Sequence, residues 1–252
     1  VIRMNKLIRA EFYRLRHTGH LFWYAILLPM LFIFMPYILC MDQMDKPLDE
    51  LIESLGTMCV LVYNFFPAVV AGFAGQLFNK GKLGYYEVIA GNKPSHIIMS
   101  KIFSDGVFFS VIYTVCVSAF YVFLGIKNGV GTMTHPFIRL GLFAVVMTHL
   151  VVSSIMIMMA SKKTVSAVVL TYIRFMVFDI AFMPALAFVF TKLGLEGVAT
   201  HLGYMIVFNQ LEMTALGSID LTTILHIILG FIGEFILWYI VVYRGIKKKK
   251  FS

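Results

Sequence analysis

Six apolar runs, each long enough to cross a bilayer as a helix, constrain the fold of this chain more than any other feature. A transmembrane helix needs roughly 20 consecutive, mostly apolar residues. The lipid core offers the backbone no hydrogen-bond partners, so only helices and closed barrels can cross it, and the alternating pattern of barrel strands is missing from these runs. The runs extend over Leu21–Met41, Thr57–Phe78, Phe103–Ile126, Arg139–Ala160, Val165–Phe190 and Leu221–Tyr243.

The composition agrees with six transmembrane helices. Hydrophobic residues make up 60% of the 252 residues and charged residues only 13%, whereas about 25% of a soluble domain is charged. We therefore predict an all-α integral membrane protein in which residues 21–252 form one six-helix transmembrane domain. The three cysteines have no Cys-x-x-Cys spacing, so we expect neither a disulfide framework nor a metal site.

The charges between the runs predict the orientation of the chain. Lysine and arginine are concentrated before run one, between runs two and three, between runs four and five, and after run six, while the other three loops hold most of the acids. Positive loops mark the cytoplasmic side of a membrane, so both termini are expected to be cytoplasmic. The net charge of +8 then reflects orientation and contact with an anionic inner leaflet, and no nucleic-acid partner is expected.

Residues 1–20 are predicted to form an amphipathic helix at the inner membrane surface. Apolar residues at positions 4, 7, 8, 12 and 15 share one face, and basic residues largely occupy the other, which suits a helix lying among lipid headgroups. The alternative is a simple cytoplasmic extension of run one. The charged segment is long and no small-residue cleavage site follows, so we do not expect a cleaved signal peptide. The predicted anchoring residues are Arg9, Phe12, Arg14 and Arg16.

Loop 79–102 is the longest of the predicted cytoplasmic loops. Its residues Tyr85–Ala90 can form about two turns of helix, Gly91 suits a left-handed helix end, and Ser95 is a candidate cap for the helix entering run three. A short, partly apolar helix between two spans suits the docking of another protein. The alternative is a routine loop whose aromatic side chains lie at the membrane interface.

This loop, the basic N-terminal helix and the six runs together resemble the ABC-2 type permeases. The matching loop residues are Lys82, Gly84, Glu87, Pro94 and Lys101, whereas Gly-Tyr-Tyr-Glu at positions 84–87 replaces the Glu-x-Gly-Thr common in that family. The small size and short external loops look most like permeases for amphipathic or cationic peptides. These include the phenol-soluble-modulin exporters and the lantibiotic-immunity and bacitracin-efflux permeases.

The resemblance implies partner subunits, an energy source and a cellular location. In this family the loop between spans two and three holds a coupling helix that enters a cleft of the ATPase subunit. Two ATPase copies would bind ATP and Mg, and a second permease chain, identical or a sibling, would complete the pathway along runs two and five in a bacterial plasma membrane. The implied ATPase-contacting residues are Tyr85, Tyr86, Glu87, Val88, Ile89, Lys93 and Pro94.

Motifs for catalysis are missing from the sequence. Gly81-Lys82 is followed by Leu83 rather than Ser or Thr, and Gln76 stands where the first glycine of a Walker A motif belongs. Neither a His-Glu-x-x-His motif nor a Gly-x-Ser-x-Gly context for a catalytic serine occurs. We therefore expect no catalytic residue and no cofactor in this chain, and ATP hydrolysis to come from a separate subunit.

Three charged residues interrupt runs five and six, where charge is costly and usually functional or paired. Arg174 and Glu234 lie at the same depth, roughly 13–14 Å from the inner end at about 1.5 Å per residue, so they are predicted to pair. Asp179 lies about 140° around an α-helix from Arg174 and is predicted to face another helix, a partner chain or a wet cavity. The three residues either line a substrate pathway or fix the packing of runs five and six.

Small and polar residues inside the runs predict contacts between helices. Ala71 and Gly75 in run two are four residues apart and allow a second helix to approach closely. His149 and His226 are predicted to donate hydrogen bonds across helices rather than to bind metal. The external segment 191–220 is long and apolar, and we expect short helices in it that fold back toward the outer membrane surface.

Peptide export is the leading functional expectation, and two other classes stay open. One is a membrane scaffold or sensor without transport of its own. The other is a secondary carrier, although such carriers usually contain inverted repeats and runs one to three show no clear similarity to runs four to six.

Overall fold

The structure of the protein is a computed structural model. It describes residues 2–17, 44–80, 90–161, 163–215 and 219–249, and isolated helical positions between 26 and 38. Every regular element in these ranges is helical, as predicted. Two π-helical segments occur, the first at Ile102–Gly106 and the second at Ile173–Phe182. The α-helices are α1 (Ile2–His17), α2 (Leu48–Lys80), α3 (Pro94–Lys101), α4 (Val107–Asn128), α5 (Pro136–Ala160), α6 (Thr164–Tyr172), α7 (Met183–Lys192), α8 (Glu196–Met205), α9 (Val207–Ala215) and α10 (Leu221–Lys249).

Among the described residues, four continuous helical stretches are long and apolar enough to cross a membrane, and they contain runs three to six. They are Pro94–Asn128, Pro136–Ala160, Thr164–Lys192 and Leu221–Lys247. Run two lies within the 33-residue helix α2, whose apolar part among the described side chains is Phe66–Gln76. Run one lies outside the described residues except for isolated helical positions. The count of six spans and the cytoplasmic side of both termini stay predictions.

Helix α5 lies at the centre of the bundle. It packs against α2, α4, α6, α9 and α10. In its apolar 18-residue stretch 78% is buried, whereas the corresponding share for α10 is 6%. A helix that is apolar on all sides is typical of such an interior position. The outward faces of α6, α7 and α10 are apolar and exposed, which leaves them for lipid or for a second chain.

The predicted small-residue contact of α2 is confirmed, and the neighbouring helix is α6. Ala71 is buried, and a Cβ atom built on Gly75 would lie 3.0 Å from Cγ2 of Thr164 at the start of α6. A larger residue at position 75 would force the two helices apart. Runs two and five are therefore direct neighbours within this chain.

The turn between α4 and α5 is held by Asp49 in the first turn of α2. The Asp49 carboxylate accepts hydrogen bonds from the hydroxyl and the backbone N–H of Thr132, at 2.6 and 2.7 Å. These bonds hold the pKa of the Asp49 carboxyl below its ordinary value. Gly131 has φ +63, and a Cβ atom there would lie 1.9 Å from Oδ1 of Asp49, so only glycine fits this turn.

The external segment 191–220 contains the short helices α8 and α9, as predicted. α9 packs against α2 and α5, with Val207, Gln210 and Thr214 buried. α8 lies against α7 and α10, where the ring nitrogens of His201 and His226 are 2.8 Å apart. The predicted interhelical hydrogen bond of His226 is therefore present, and the segment covers one end of the bundle.

Candidate functional site

Arg174 and Glu234 form a bidentate ion pair between the second π-helical segment and α10, and their pairing was predicted. Nε of Arg174 donates to Oε1 of Glu234 at 3.0 Å, and Nη2 donates to Oε2 at 2.6 Å. The side chain of Arg174 is 17% exposed and that of Glu234 is 10% exposed. A planar guanidinium matches a carboxylate in this geometry, which orients both groups.

Asp179 also binds Arg174, so the prediction that the two residues lie on different faces was wrong. Oδ1 of Asp179 accepts a hydrogen bond from Nη1 of Arg174. The prediction assumed an α-helix, whereas residues 173–182 form a π-helix, in which the hydrogen bonds connect residues five apart. Five residues then complete roughly one turn, and this brings Asp179 onto the face of Arg174.

Pro184 interrupts the regular hydrogen bonding just after the second π-helical segment. A proline lacks the backbone N–H that would donate to the carbonyl four residues earlier, here that of Ile180. The segment before it departs from α-helical geometry over ten residues. One proline in the sequence does not reveal this departure, because π-helices are rare and usually span a single turn.

Asp179 links this ion pair to the external segment. The backbone N–H of Val207, the first residue of α9, donates to Oδ2 of Asp179 at 3.2 Å. The first N–H groups of a helix lack partners within the helix, and its dipole favours a negative group there. The expectation that Asp179 faces another helix is therefore confirmed, and the helix is α9.

Two further side chains bind Glu234, and sequence reasoning assigned neither to this site. Nε2 of His149, on α5, lies 2.9 Å from Oε2, which confirms the predicted interhelical bond of His149. Nε1 of Trp238 donates to Oε1 at 3.1 Å, and the four-residue spacing from an intramembrane acid was its signal. We call this set the intramembrane network: Arg174, Asp179, Glu234, His149 and Trp238.

The intramembrane network suits the holding of positive charge. One guanidinium faces two carboxylates, so acidic groups outnumber basic groups among these three residues. The network also joins four parts of the bundle, namely α5, the second π-helical segment, α9 and α10. Among the described residues, no group of three or more His, Cys, Asp or Glu side chains is arranged to hold a metal ion.

A second buried set of charges joins α1 to the end of loop 79–102 and to the start of run three. Lys101 donates to Oε1 of Glu11, and Arg14 pairs with the same carboxylate. Nη2 of Arg14 also lies 3.8 Å from Oδ2 of Asp105, and Lys101 and Asp105 are buried. We call Glu11, Arg14, Lys101 and Asp105 the helix-docking cluster. Its two cations match its two anions, which makes burial of these charges tolerable.

Sequence reasoning missed most of the helix-docking cluster, although signals were present. Asp105 lies inside run three and is an intramembrane acid of the kind singled out in runs five and six. Glu11 is the single acidic residue among residues 1–20. Like Arg174 and Asp179, Asp105 lies in a π-helical segment, so both buried charge clusters coincide with local departures from the α-helix.

The predicted membrane anchors fall into two groups. Arg9 and Arg16 are exposed and Phe12 is 43% exposed, as an anchoring role requires, whereas Arg14 is held in the helix-docking cluster. Leu15 of the predicted apolar face is buried against the bundle, and so is Glu11, whose charge Lys101 and Arg14 neutralise.

Only the end of the proposed coupling loop belongs to the described residues. Tyr85, Tyr86, Glu87, Val88 and Ile89 lie outside them. Gly91 has φ +77, the left-handed backbone expected of it. The helix begins at Pro94, with Lys93 as the preceding residue and without a side-chain cap, so the prediction that Ser95 caps this helix was wrong. Proline fits the first helical position, because no N–H is needed there.

Comparisons with protein-family models, curated proteins and solved structures give no match to this chain. The ABC-2 permease identity therefore stays an expectation from the sequence. The intramembrane network and the helix-docking cluster lie in a protein whose described part is all-helical and contains four helices able to span a membrane.

Proposed function

We propose that the chain is the membrane-spanning permease subunit of an ATP-driven exporter of the ABC-2 type, which moves amphipathic or cationic peptides out of the cell or the inner leaflet. Two such chains, identical or siblings, would form the pathway. Two separate ATPase subunits would dock on loop 79–102 and α1. ATP and Mg would bind to those subunits and not to this chain.

The observation that carries the proposal is the helix-docking cluster. Helix α3 forms the last part of loop 79–102, and its last residue, Lys101, is bonded to Glu11 of α1. The loop end, the amphipathic helix and the start of the span following them are therefore connected through buried charges. A force that an ATPase applied to the loop would reach this span directly, as a coupled two-state movement requires.

The intramembrane network supports transport over a purely structural scaffold. Charges inside a membrane span are costly and most often serve pathways or relays. A scaffold that needs only apolar packing has no use for three such groups bonded to one another inside the bundle. The acidic excess of the network suits the passage of a cationic segment, and the exposed apolar faces of α6, α7 and α10 provide area for a second chain.

A secondary carrier is the second candidate, and one observation favours it. The stretches Pro94–Asn128 and Thr164–Lys192 are each interrupted by a π-helical segment that bears buried charges. Carriers commonly place ion sites at interrupted helices. A gradient of an ion bound at these interruptions would then drive transport in place of ATP.

Transport into inside-out membrane vesicles separates these candidates. The vesicles would contain the full chain together with a candidate ABC ATPase subunit, and the probe would be a fluorescent amphipathic cationic peptide. We expect uptake that requires ATP and Mg and that is lost in the double variant Glu87→Ala, Ile89→Ala. A matched control is Glu196→Ala, an exposed acid in the first turn of α8, which should leave uptake unchanged.

Each other outcome would overturn the proposal in a recognisable way. Uptake driven by a proton gradient without ATP would identify a secondary carrier. Absence of uptake for every peptide tested, with the chain folded and present in the vesicles, would favour a scaffold or sensor. Uptake that survives the loop variants would remove the coupling role of loop 79–102.

A further inference from the structure

An apolar cavity of about 330 Å3 lies between α2, α4, α5 and α9. It opens at the ends of these helices that are predicted to face outward, away from the intramembrane network and the helix-docking cluster. Its volume falls in the range of small-molecule binding sites, roughly 300–1,000 Å3. The lining is almost entirely apolar and includes Ile52, Tyr121, Leu140, Phe143 and Leu211.

Arg139 is the one charged residue in the described lining of this cavity. It is 8% exposed, and it is positioned by hydrogen bonds that it donates to the backbone carbonyls of Thr134 at 2.7 Å and Thr214 at 3.4 Å. A guanidinium stays charged at all physiological pH values and matches a phosphate group well. The cavity therefore presents an apolar slot with a fixed positive group in its wall.

The depth of this positive group matches the headgroup level of a bilayer. Arg139 lies three residues after the start of α5 at Pro136, about 4.5 Å along the helix axis at roughly 1.5 Å per residue. Phe143 lies seven residues in, at about 10 Å. The apolar slot thus extends inward from the level of Arg139, in the direction that an acyl chain takes from its headgroup.

The rim of the cavity is apolar and exposed. Ile126 on α4 is 81% exposed and Phe137 on α5 is 85% exposed, and both line the cavity. Large exposed apolar side chains at the ends of membrane-spanning helices suit contact with lipid at the membrane interface. A lipid can therefore enter sideways between α4 and α5.

We propose that this cavity binds one acyl chain of an anionic phospholipid from the outer leaflet, with the lipid phosphate at Arg139. The acyl chain exchanges one apolar environment for another, so the hydrophobic effect contributes little to its binding. The charge of the headgroup then decides which lipid occupies the site. A bound lipid would connect α2, α4, α5 and α9, the helices whose ends form the cavity.

Photolabelling of the reconstituted full chain tests this site. The probe is phosphatidylglycerol with a diazirine at mid-chain, in vesicles of phosphatidylcholine, and the labelled residues are mapped by mass spectrometry. We expect labels concentrated in residues 121–143 and 211–214, displaced by unlabelled phosphatidylglycerol but not by phosphatidylcholine. Arg139→Gln should lower this labelling about fivefold, since one basic residue near an anionic lipid surface contributes about that factor in affinity.

A second variant keeps the test independent of the folding of Arg139→Gln. Ile126→Trp fills the rim and should reduce labelling, whereas Phe123→Trp, on the same helix and 60% exposed but outside the cavity lining, should not. Labels spread evenly over all lipid-facing residues, or equal displacement by both lipids, would overturn the proposal. Displacement by an amphipathic peptide but not by phosphatidylglycerol would also overturn it and would assign the cavity to a peptide.

Discussion

The ion pair of Arg174 and Glu234 leads to the sharpest prediction, because removing either side chain leaves polar or charged groups without a partner inside the bundle. Arg174→Ala leaves two buried carboxylates, those of Asp179 and Glu234, without their shared guanidinium. Glu234→Ala leaves Arg174 with Asp179 but removes the acceptor of His149 and Trp238. The two single variants therefore damage different parts of the intramembrane network.

The magnitudes follow from these losses. Breaking a buried ion pair by removing one partner costs about 3–5 kcal/mol, which we expect for Arg174→Ala. In Glu234→Ala, the orphaned donors of His149 and Trp238 cost about 1–3 kcal/mol each, so these two together account for roughly 2–6 kcal/mol, in addition to the loss of the two hydrogen bonds from Arg174. The double variant should be more stable than the sum of the singles by at least about 1.5 kcal/mol, the lower value for a hydrogen bond to a charged group.

Rescue by the second substitution should be partial, because Asp179 stays buried without Arg174. Adding Asp179→Asn to the double variant removes this last carboxylate charge while its amide oxygen still accepts from the N–H of Val207. We expect the triple variant to be more stable than the double variant. An α-helical arrangement, with Asp179 on another face, would instead make this third substitution independent of the other two.

The assay is denaturant unfolding of the full chain in lipid bicelles, followed by far-ultraviolet circular dichroism. A matched control is the same double-mutant cycle on Lys127 and Asp45, a pair with N and O atoms 3.6 Å apart and both side chains largely exposed. Exposed pairs contribute little, so this cycle should show no measurable coupling. If the coupling of Arg174 with Glu234 is no larger than that of the control, the reasoning about the network is refuted.

Three further predictions concern other parts of the chain. Lys101→Met should destabilise the protein by about 3 kcal/mol, because Glu11 loses a buried partner. Faster hydrogen exchange in residues 2–17 would show that α1 is released, and unchanged exchange there would contradict the prediction. The pKa of Asp49 is lower in the folded state than its ordinary value of 3.8. The stabilisation by its carboxylate is therefore complete above pH 3.8 and is lost as the pH falls through the lower folded pKa. Asp49→Asn should remove the resulting pH dependence of hydrogen exchange at Thr132, and a dependence that this variant retains would come from another group. His135→Gly should raise stability by about 0.5–1 kcal/mol, because φ is +52 at this residue and glycine adopts that backbone without strain; a lower melting temperature would contradict it.

The sequence determined the elements whose physics is local. A run of about 20 apolar residues forms a helix in lipid regardless of what surrounds it, and runs three to six are indeed long apolar helices. The short helices of segment 191–220, the left-handed backbone at Gly91 and the close approach at Gly75 also followed from the residues themselves. Equal depth along two helices was sufficient to predict the pairing of Arg174 with Glu234.

The tertiary structure alone decided what depends on the exact winding and packing of the helices. Asp179 pairs with Arg174 because residues 173–182 form a π-helix. The residue pattern that predicts a helix does not distinguish an α-helix from a π-helix. Glu11 is buried because Lys101, 90 positions away in the chain, neutralises it. Hydropathy assigns each residue to a face by its own polarity, but a charge can be buried where a distant residue supplies its counter-charge, and only the packed structure brings the two together.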